Sequence, residues 1–356
     1  MKRVLALAKY GPQAASTRQR LLIFAPALEV AGFAIDLQPL LDDDYVRTLA
    51  SGAAYSKRSL VKAYIERLQR IMTATHYDLL WVYAELFPFL PGAFERLAVR
   101  AGKPIIYDFD DAFFDAQARH WWLRDKLQPL IAAAAEVSAG NEYLAAFARR
   151  WNDRVNVFPT VVDTRTYRPS EQAACDVPVI GWIGSPSTWA YVRPLLPLLN
   201  RLCLTGRARF LAVGAGTAGS TDQFAGLEHR DWSESREIAD VQAMHIGIMP
   251  LPDEPWARGK CGYKLIQYMA CGLPTVASPV GVNRAIVLDG QSGFLAADER
   301  EWSSALDRLI ADPALRRDFG RVGRARVEVE YSLRSQASRV VSLFEQALER
   351  SPDRKG

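Results

Sequence analysis

The densest chemistry in this sequence lies in ARGKCGYKLIQYMACGLPTVASPVGVN, residues 257–283. It reads as a glycine-containing loop, a short helix over 263–271, a Gly-Leu-Pro stop, a buried strand and a second glycine turn. Unpaired amides at a helix start, together with the helix dipole, favour an anion. Gly262 and Tyr263 stand at the turn into the helix, and Lys260 and Lys264 flank it. A lysine in the first helical turn opposes the dipole by a few tenths of a kcal/mol, roughly, and a bound diphosphate reverses that sign. The segment is therefore assigned to a phosphate-bearing ligand, the alternative being a solvated lysine pair on a surface helix.

A second group is acidic. IIYDFDDAFFD, residues 105–115, closes a strand with Asp108, Asp110, Asp111 and Asp115. Carboxylates this close need a counter-ion, solvent or raised pKa values. They serve either in catalysis or as a capping cluster at a helix start. Glu85, in WVYAELFPF, follows another strand and fits a site edge or a structural ion pair equally well. Gly214, Gly216 and Gly219 have the G-x-G-x-x-G spacing after a strand, but no long helix opens at the last glycine, so a dinucleotide site is poorly supported. His76, His120, His229 and His245 show no metal-ligand spacing, and no metal is expected. ARHWWLRDKL, residues 118–127, sets Trp121 and Trp122 beside basic residues. Core packing is the plainer expectation for them, and contact with a lipid-linked acceptor at a membrane interface is the other.

The elements that must hold these groups alternate along the chain. Strands are expected near 3–7, 33–37, 79–83, 104–107, 136–139 and 155–158, with helices at 16–30, 58–74, 94–102 and 142–151. The pattern restarts at VPVIGWIG, 177–184, with strands at 209–213, 246–249 and 275–277, a helix over 192–203, and helices at 302–311, 313–331 and 333–349. This is α/β layering with parallel sheets in two Rossmann-like domains. The domains are expected at 1–165 and 166–335, joined by a turn-rich linker around 163–176, with a C-terminal helix in 336–356 packing back on the first domain and a frayed SPDRKG tail. In tandem they would face a cleft at the carboxyl ends of their strands, where ligands bind in this architecture.

With 356 residues, 49% of them hydrophobic, there is ample core for two domains, and a formal charge of +4 is too small for a dedicated nucleic-acid binder. Cys175, Cys203, Cys261 and Cys271 form no C-x-x-C pair and are expected as reduced cytosolic thiols. The opening MKRVLALAKYGPQ is a buried strand rather than a signal peptide, and no run approaches the roughly 20 apolar residues of a membrane span.

QYMACGLPTVASPVG resembles the donor-binding block of retaining GT-B glycosyltransferases of family 4, which reads E-A-M-A-x-G-x-P-V-V-A after a glycine loop. The likeness extends loosely over nearly the whole chain. It implies a GT-B fold, two Rossmann-like domains facing a cleft; the metal-binding D-x-D of the GT-A architecture is set aside because that fold has one nucleotide-binding domain and the pattern here gives two. The family's paired glutamates are replaced by Gly259 and by Gln267, which takes the ribose position. Where relatives carry an Arg and a Lys on the diphosphate, this chain has Trp182 and Thr188. Gly184, Ser185, Ser187 and Thr188 can then bind phosphate through amides and hydroxyls, with Lys260, Lys264 and Arg193 supplying charge. A helix N-cap explains the same residues.

By the same resemblance, Asp110 and Asp111 take the place of a His-Asp pair and are the catalytic candidates. Gly11 and Arg18 lie in YGPQAASTRQR, which resembles the loop facing the acceptor and the donor phosphates, with Arg20 a second candidate anion contact; Glu85 and Asp108 are further candidates for the acceptor side or cleft edge. Trp232 is placed near the base or in the core. The resulting expectation is a bacterial-type, metal-independent hexosyltransferase. It moves sugar, with retention, from a nucleotide-diphosphate-sugar co-substrate to a saccharide, lipid-linked or other hydroxyl acceptor in cell-surface polysaccharide assembly. No other cofactor is expected. The location is cytoplasmic, with peripheral contact on the inner membrane face as an option. A non-catalytic nucleotide-sugar scaffold, an epimerase of the same fold and an NAD-dependent oxidoreductase are the alternatives.

Overall fold

The computed structural model describes residues 1–50, 55–170 and 177–350. Cys175, the end of the expected linker and the SPDRKG tail lie outside the described residues. The chain forms two compact units: Met1–Thr160 with Arg258–Cys261 and the chain from Gln336 onward, and Val161–Ala257 with Gly262–Ser335.

The first unit holds β1 (Lys2–Tyr10), β2 (Phe33–Leu41), β3 (Leu79–Tyr83), β4 (Ile105–Phe109), β5 (Glu136–Ala139) and β6 (Val155–Val157). All pair in parallel, in the order β2-β1-β3-β4-β5-β6. Residues 4–8 are sealed from solvent, which is why that strand reads as an unbroken apolar run: helices cover both faces of the sheet. The strand order reverses between β1 and β3, and their carboxyl ends lead into Gly11 and Glu85.

The second unit holds β7 (Val179–Ile183), β8 (Arg209–Val213), β9 (Leu227–Arg230), β10 (Ile246–Met249), β11 (Thr275–Ala277) and β12 (Gly293–Leu295), in the order β12-β11-β10-β7-β8-β9 and all parallel. This is the Rossmann strand order, with its switch point between β7 and β10. Alternate residues of β7 enter separate cores: Val179 and Ile183 join Met244 and Leu265, whereas Ile180 and Trp182 join Trp189 and Ile248.

Two strands escaped the sequence pattern. β9 is an edge strand reading LEHR, and β12 has three residues, so neither carries an apolar run. The expected helix at 16–30 is broken into Ala15–Arg20, a 3-10 turn Leu22–Phe24 and Ala25–Val30, with Pro26 starting the last piece.

Candidate functional site

In the second unit the site elements converge on the carboxyl end of β7. Gly184 follows that strand, and Ser185 caps the next helix, Pro186–Trp189, in a capping box with Thr188. A Cβ on Gly184 would lie 2.3 Å from Trp182 Cζ2 and 3.0 Å from Lys264 Cε, so only glycine fits. Gly214, at φ +79°, presses on the Gly184 carbonyl from the next loop, where a Cβ would come within 2.3 Å. Gly216 abuts Pro186 and Gly219 abuts His229. The glycine triplet therefore serves packing, and its helix, Gly216–Gly219, is one turn long.

The helix Tyr263–Ala270 lies over β10, where Gly247 makes room for the Tyr268 ring, and the Tyr268 hydroxyl accepts from the Ile183 amide at 3.0 Å. Its N-cap is left-handed Gly262 (φ +69°), with no side chain capping the first amides. This docking carries Lys264 to Thr188 Oγ1, at 3.3 Å, and sets its ammonium 5.0 Å from the centre of the buried Trp182 ring. Position 182, on β7, offers no charge of its own but orients a cation from the Tyr263–Ala270 helix.

Gln267 is buried, and its amide donates to Glu237 Oε1 (3.0 Å) and the Tyr167 hydroxyl (3.1 Å). Glu237 also accepts from Tyr167, from Tyr263 (3.4 Å) and from Trp232 Nε1 (2.6 Å). The NH2 of Gln267, the residue expected at the ribose, thus holds Glu237 and Tyr167 in this structure. Glu237 was overlooked because nothing in RDWSESREIAD distinguishes it from a solvated acid. Arg193 pairs with Asp222 at 3.1 Å.

In the first unit, Asp108 is buried against Arg20, whose guanidinium also donates to Phe158 O (2.6 Å) and Ser138 Oγ (3.0 Å). Burial alone would lower the Arg20 pKa, but Asp108 and Asp110 hold it above its ordinary value. Asp108, expected at the acceptor side or cleft edge, thus serves here as the partner of Arg20. Arg18 donates to Pro12 O (3.2 Å) and Gln13 O (2.6 Å) of its own turn, and Gly11 lies against Asp43, whose amide nitrogen a Cβ would approach to 3.2 Å. Glu85 is buried in an ion pair with Lys9 (2.9 Å) and accepts from Gln117 (2.8 Å).

Asp110 and Asp111 remain only partly covered. Burial and then the neighbouring charge of Asp111 raise Asp110 to about 6, against the opposing pull of Arg20 and the Tyr83 hydroxyl, which donates at 2.5 Å. A carboxyl poised there can exchange a proton near neutrality. Tyr83→Phe removes a bond to the ionised form, so the titration of Asp110 should move upward, as read by carboxyl chemical shifts.

Asp111 holds Lys260 at 2.8 Å. Arg258–Cys261 packs within this unit: Asn141 Nδ2 donates to Gly259 O (3.0 Å) and Lys260 O (3.1 Å), and the Cys261 thiol donates to Asp110 O at 3.1 Å. Lys260 therefore packs with the first unit and Lys264 with the second. A Cβ at Gly259 would stand 2.4 Å from Ala112 Cβ and 2.9 Å from its nitrogen, which explains why glutamate is missing there. Gly259→Glu should cost several kcal/mol, about 2 or more by analogy with other overpacked sites, read as a lowered midpoint of unfolding. Among the described residues, no group of three His, Cys, Asp or Glu can hold a metal ion, and Cys203, Cys261 and Cys271 are free.

Solved structures share this architecture over almost the whole chain. Sucrose-phosphate synthase from Thermosynechococcus elongatus superposes with a TM-score of 0.76 at 16% identity, covering 99% of this chain and all of that one. HepE of Anabaena, solved with UDP-glucose, gives 0.73 at 16% identity over 97% of this chain and all of that one. The fold is GT-B. Residues 177–312 match the family of glycosyl transferases group 1. Curated relatives include a D-inositol 3-phosphate glycosyltransferase of Stackebrandtia nassauensis, 28% identical over 51% of this chain and 46% of its own length. An alpha-maltose-1-phosphate synthase of Mycolicibacterium smegmatis is 24% identical over 64% of this chain and 66% of its own. The aligned region thus spans about half to two thirds of those relatives' length.

Proposed function

We propose that the protein transfers a sugar from a nucleotide-diphosphate-sugar to a hydroxyl acceptor, with retention and without a metal. The observation that carries this is the β7 switch point inside the group 1 domain, where Gly184, Ser185, Thr188 and the uncapped start of the Tyr263–Ala270 helix accompany Lys264. Negative charge grows on the departing diphosphate, and fixed amides and a cation placed there stabilise it without reorganising. Asp110 is assigned to the acceptor hydroxyl and Asp111 to holding Lys260. HepE, a fold relative, was solved with UDP and with UDP-glucose, which supports a uridine donor as the first to test.

The finer reading is a saccharide or lipid-linked acceptor in cell-surface polysaccharide assembly, on the cytoplasmic side with peripheral membrane contact. Titration calorimetry against UDP, GDP and ADP, followed by release of the nucleoside diphosphate from its sugar with an acceptor panel, tests the reading. Binding of NAD but of no sugar nucleotide would defeat it. Turnover should be unchanged in excess EDTA, because lysine and amides supply the positive charge, and loss of turnover on chelation would contradict the metal-free part.

The second reading is a nucleotide-sugar binder without transfer, favoured by the close packing of Gly259 on Ala112, which excludes the family glutamate. Binding with no release from any acceptor mixture would select it.

A further inference from the structure

Two segments of the first unit, after β3 and β4, bury Phe87 and Phe114 yet leave other large apolar side chains in solvent. Phe89 is 71% exposed, Trp121 83%, Trp122 44% and Phe94 41%. Exposed apolar residues one at a time are ordinary, but four aromatic rings on neighbouring segments are not.

The presentation is built rather than frayed. Phe89 has φ +67°, a left-handed backbone that costs a non-glycine residue about 1–2 kcal/mol. Lys126 is sealed beneath the loops. It pairs with Glu95 at 2.7 Å and donates to Phe87 O (2.7 Å) and Leu90 O (2.6 Å), while Glu95 accepts from the Leu86 and Phe87 amides. A buried ion pair is an expensive anchor, and here it ties both loops to one platform. Trp121 and Trp122 stand edge to face, 6.0 Å apart. Arg119 and Arg124 flank them, both exposed and without an ion-pair partner among the described residues.

Exposed tryptophans flanked by two arginines suit the membrane interface. The indole takes the boundary between headgroup and acyl chain, and the guanidinium takes lipid phosphate. Arg119 and Arg124 give the patch positive charge beside its aromatic rings, the complement of an anionic phosphate surface.

We propose that this face docks on an anionic lipid bilayer, with Phe89, Trp121 and Trp122 entering the interface and Arg119 and Arg124 against the phosphates. This rests on the peripheral-membrane part of the function proposed above and supplies its surface. No described helix is long and apolar enough to cross a membrane, and the proposed contact is at the interface.

The full chain is sedimented with vesicles of phosphatidylcholine alone and with added phosphatidylglycerol, and nucleotide affinity is measured on the same samples without lipid. The wild type should partition onto the anionic vesicles and release at high salt. Trp121→Ala and Phe89→Gly should each weaken partitioning about tenfold. The glycine relieves the left-handed strain, so loss of binding there is not loss of fold. Arg119→Gln with Arg124→Gln should remove the preference for phosphatidylglycerol, and nucleotide affinity should stay the same in all variants. Anionic binding that these variants leave intact would overturn this surface while sparing the membrane contact, and no vesicle binding at low salt would sink both. A dimer dispersed by Trp121→Ala, in place of vesicle binding, would assign the face to a second copy. None of these results touches sugar transfer, which the nucleotide measurement tests separately.

Discussion

Lys264→Ala should weaken nucleoside diphosphate binding by roughly ten- to a hundredfold, the loss of one charge-assisted contact worth about 1.5–3 kcal/mol. The side chain is already placed: Thr188 Oγ1 accepts at 3.3 Å, and the Trp182 ring lies under the ammonium at 5.0 Å. Its contribution therefore includes little ordering of a mobile chain. Lys260→Ala provides the contrast. Its ammonium is engaged by Asp111 in the first unit, a partly exposed pair worth about 0–1 kcal/mol in stability, so nucleotide affinity should fall far less. Trp182→Phe keeps an aromatic face under Lys264 and should keep most of the affinity, whereas Trp182→Leu should lose part of it. Calorimetric titration of the four variants with UDP separates these outcomes. Wild-type affinity in Lys264→Ala would remove the diphosphate from the β7 switch point.

Asp110→Asn should lower turnover about a hundred- to ten-thousandfold while leaving nucleotide affinity alone, the span expected for a lost acid–base group. As a base Asp110 must be ionised, so wild-type turnover should rise as pH passes through about 6, and that limb should vanish in the variant. Stability should move the other way. The folded-state pKa of Asp110 is raised from 3.8 to about 6, so its protonated form favours the fold. That contribution is present below 3.8 and is lost as pH rises through about 6. An uncharged amide escapes the loss, so Asp110→Asn should be relatively more stable at neutral pH than in acid. Reduced turnover combined with raised denaturation midpoints identifies a functional carboxyl. Reduced turnover with a lowered midpoint would make Asp110 a packing residue instead.

Trp121 and Trp122 show where sequence reading misjudged. Core packing was the expectation, and both are exposed. Indole is apolar enough to look like core in any pattern, and the buried Lys126–Glu95 pair that turns the loops outward joins residues 31 apart, invisible to local periodicity. Asp108 and Asp110 are alike in sequence, two residues apart. Asp108 lies inside β4, sealed against Arg20, whereas Asp110 lies just past the end of the strand, only partly covered and beside Asp111.

The sequence by itself determined the alternation of strands and helices, because apolar period and turn residues are local. It also marked the Gly262–Lys264 helix start, because unpaired amides beside a lysine are a property of a few consecutive residues. Tertiary structure decided the use of those groups. The chain over 258–261 joined the first unit, giving Lys260 to Asp111, while Lys264 stayed over Trp182. Gln267 was bound to a carboxylate 30 residues away. Ion pairs and hydrogen bonds depend on distances set by packing across the whole fold, and no spacing along the chain encodes them.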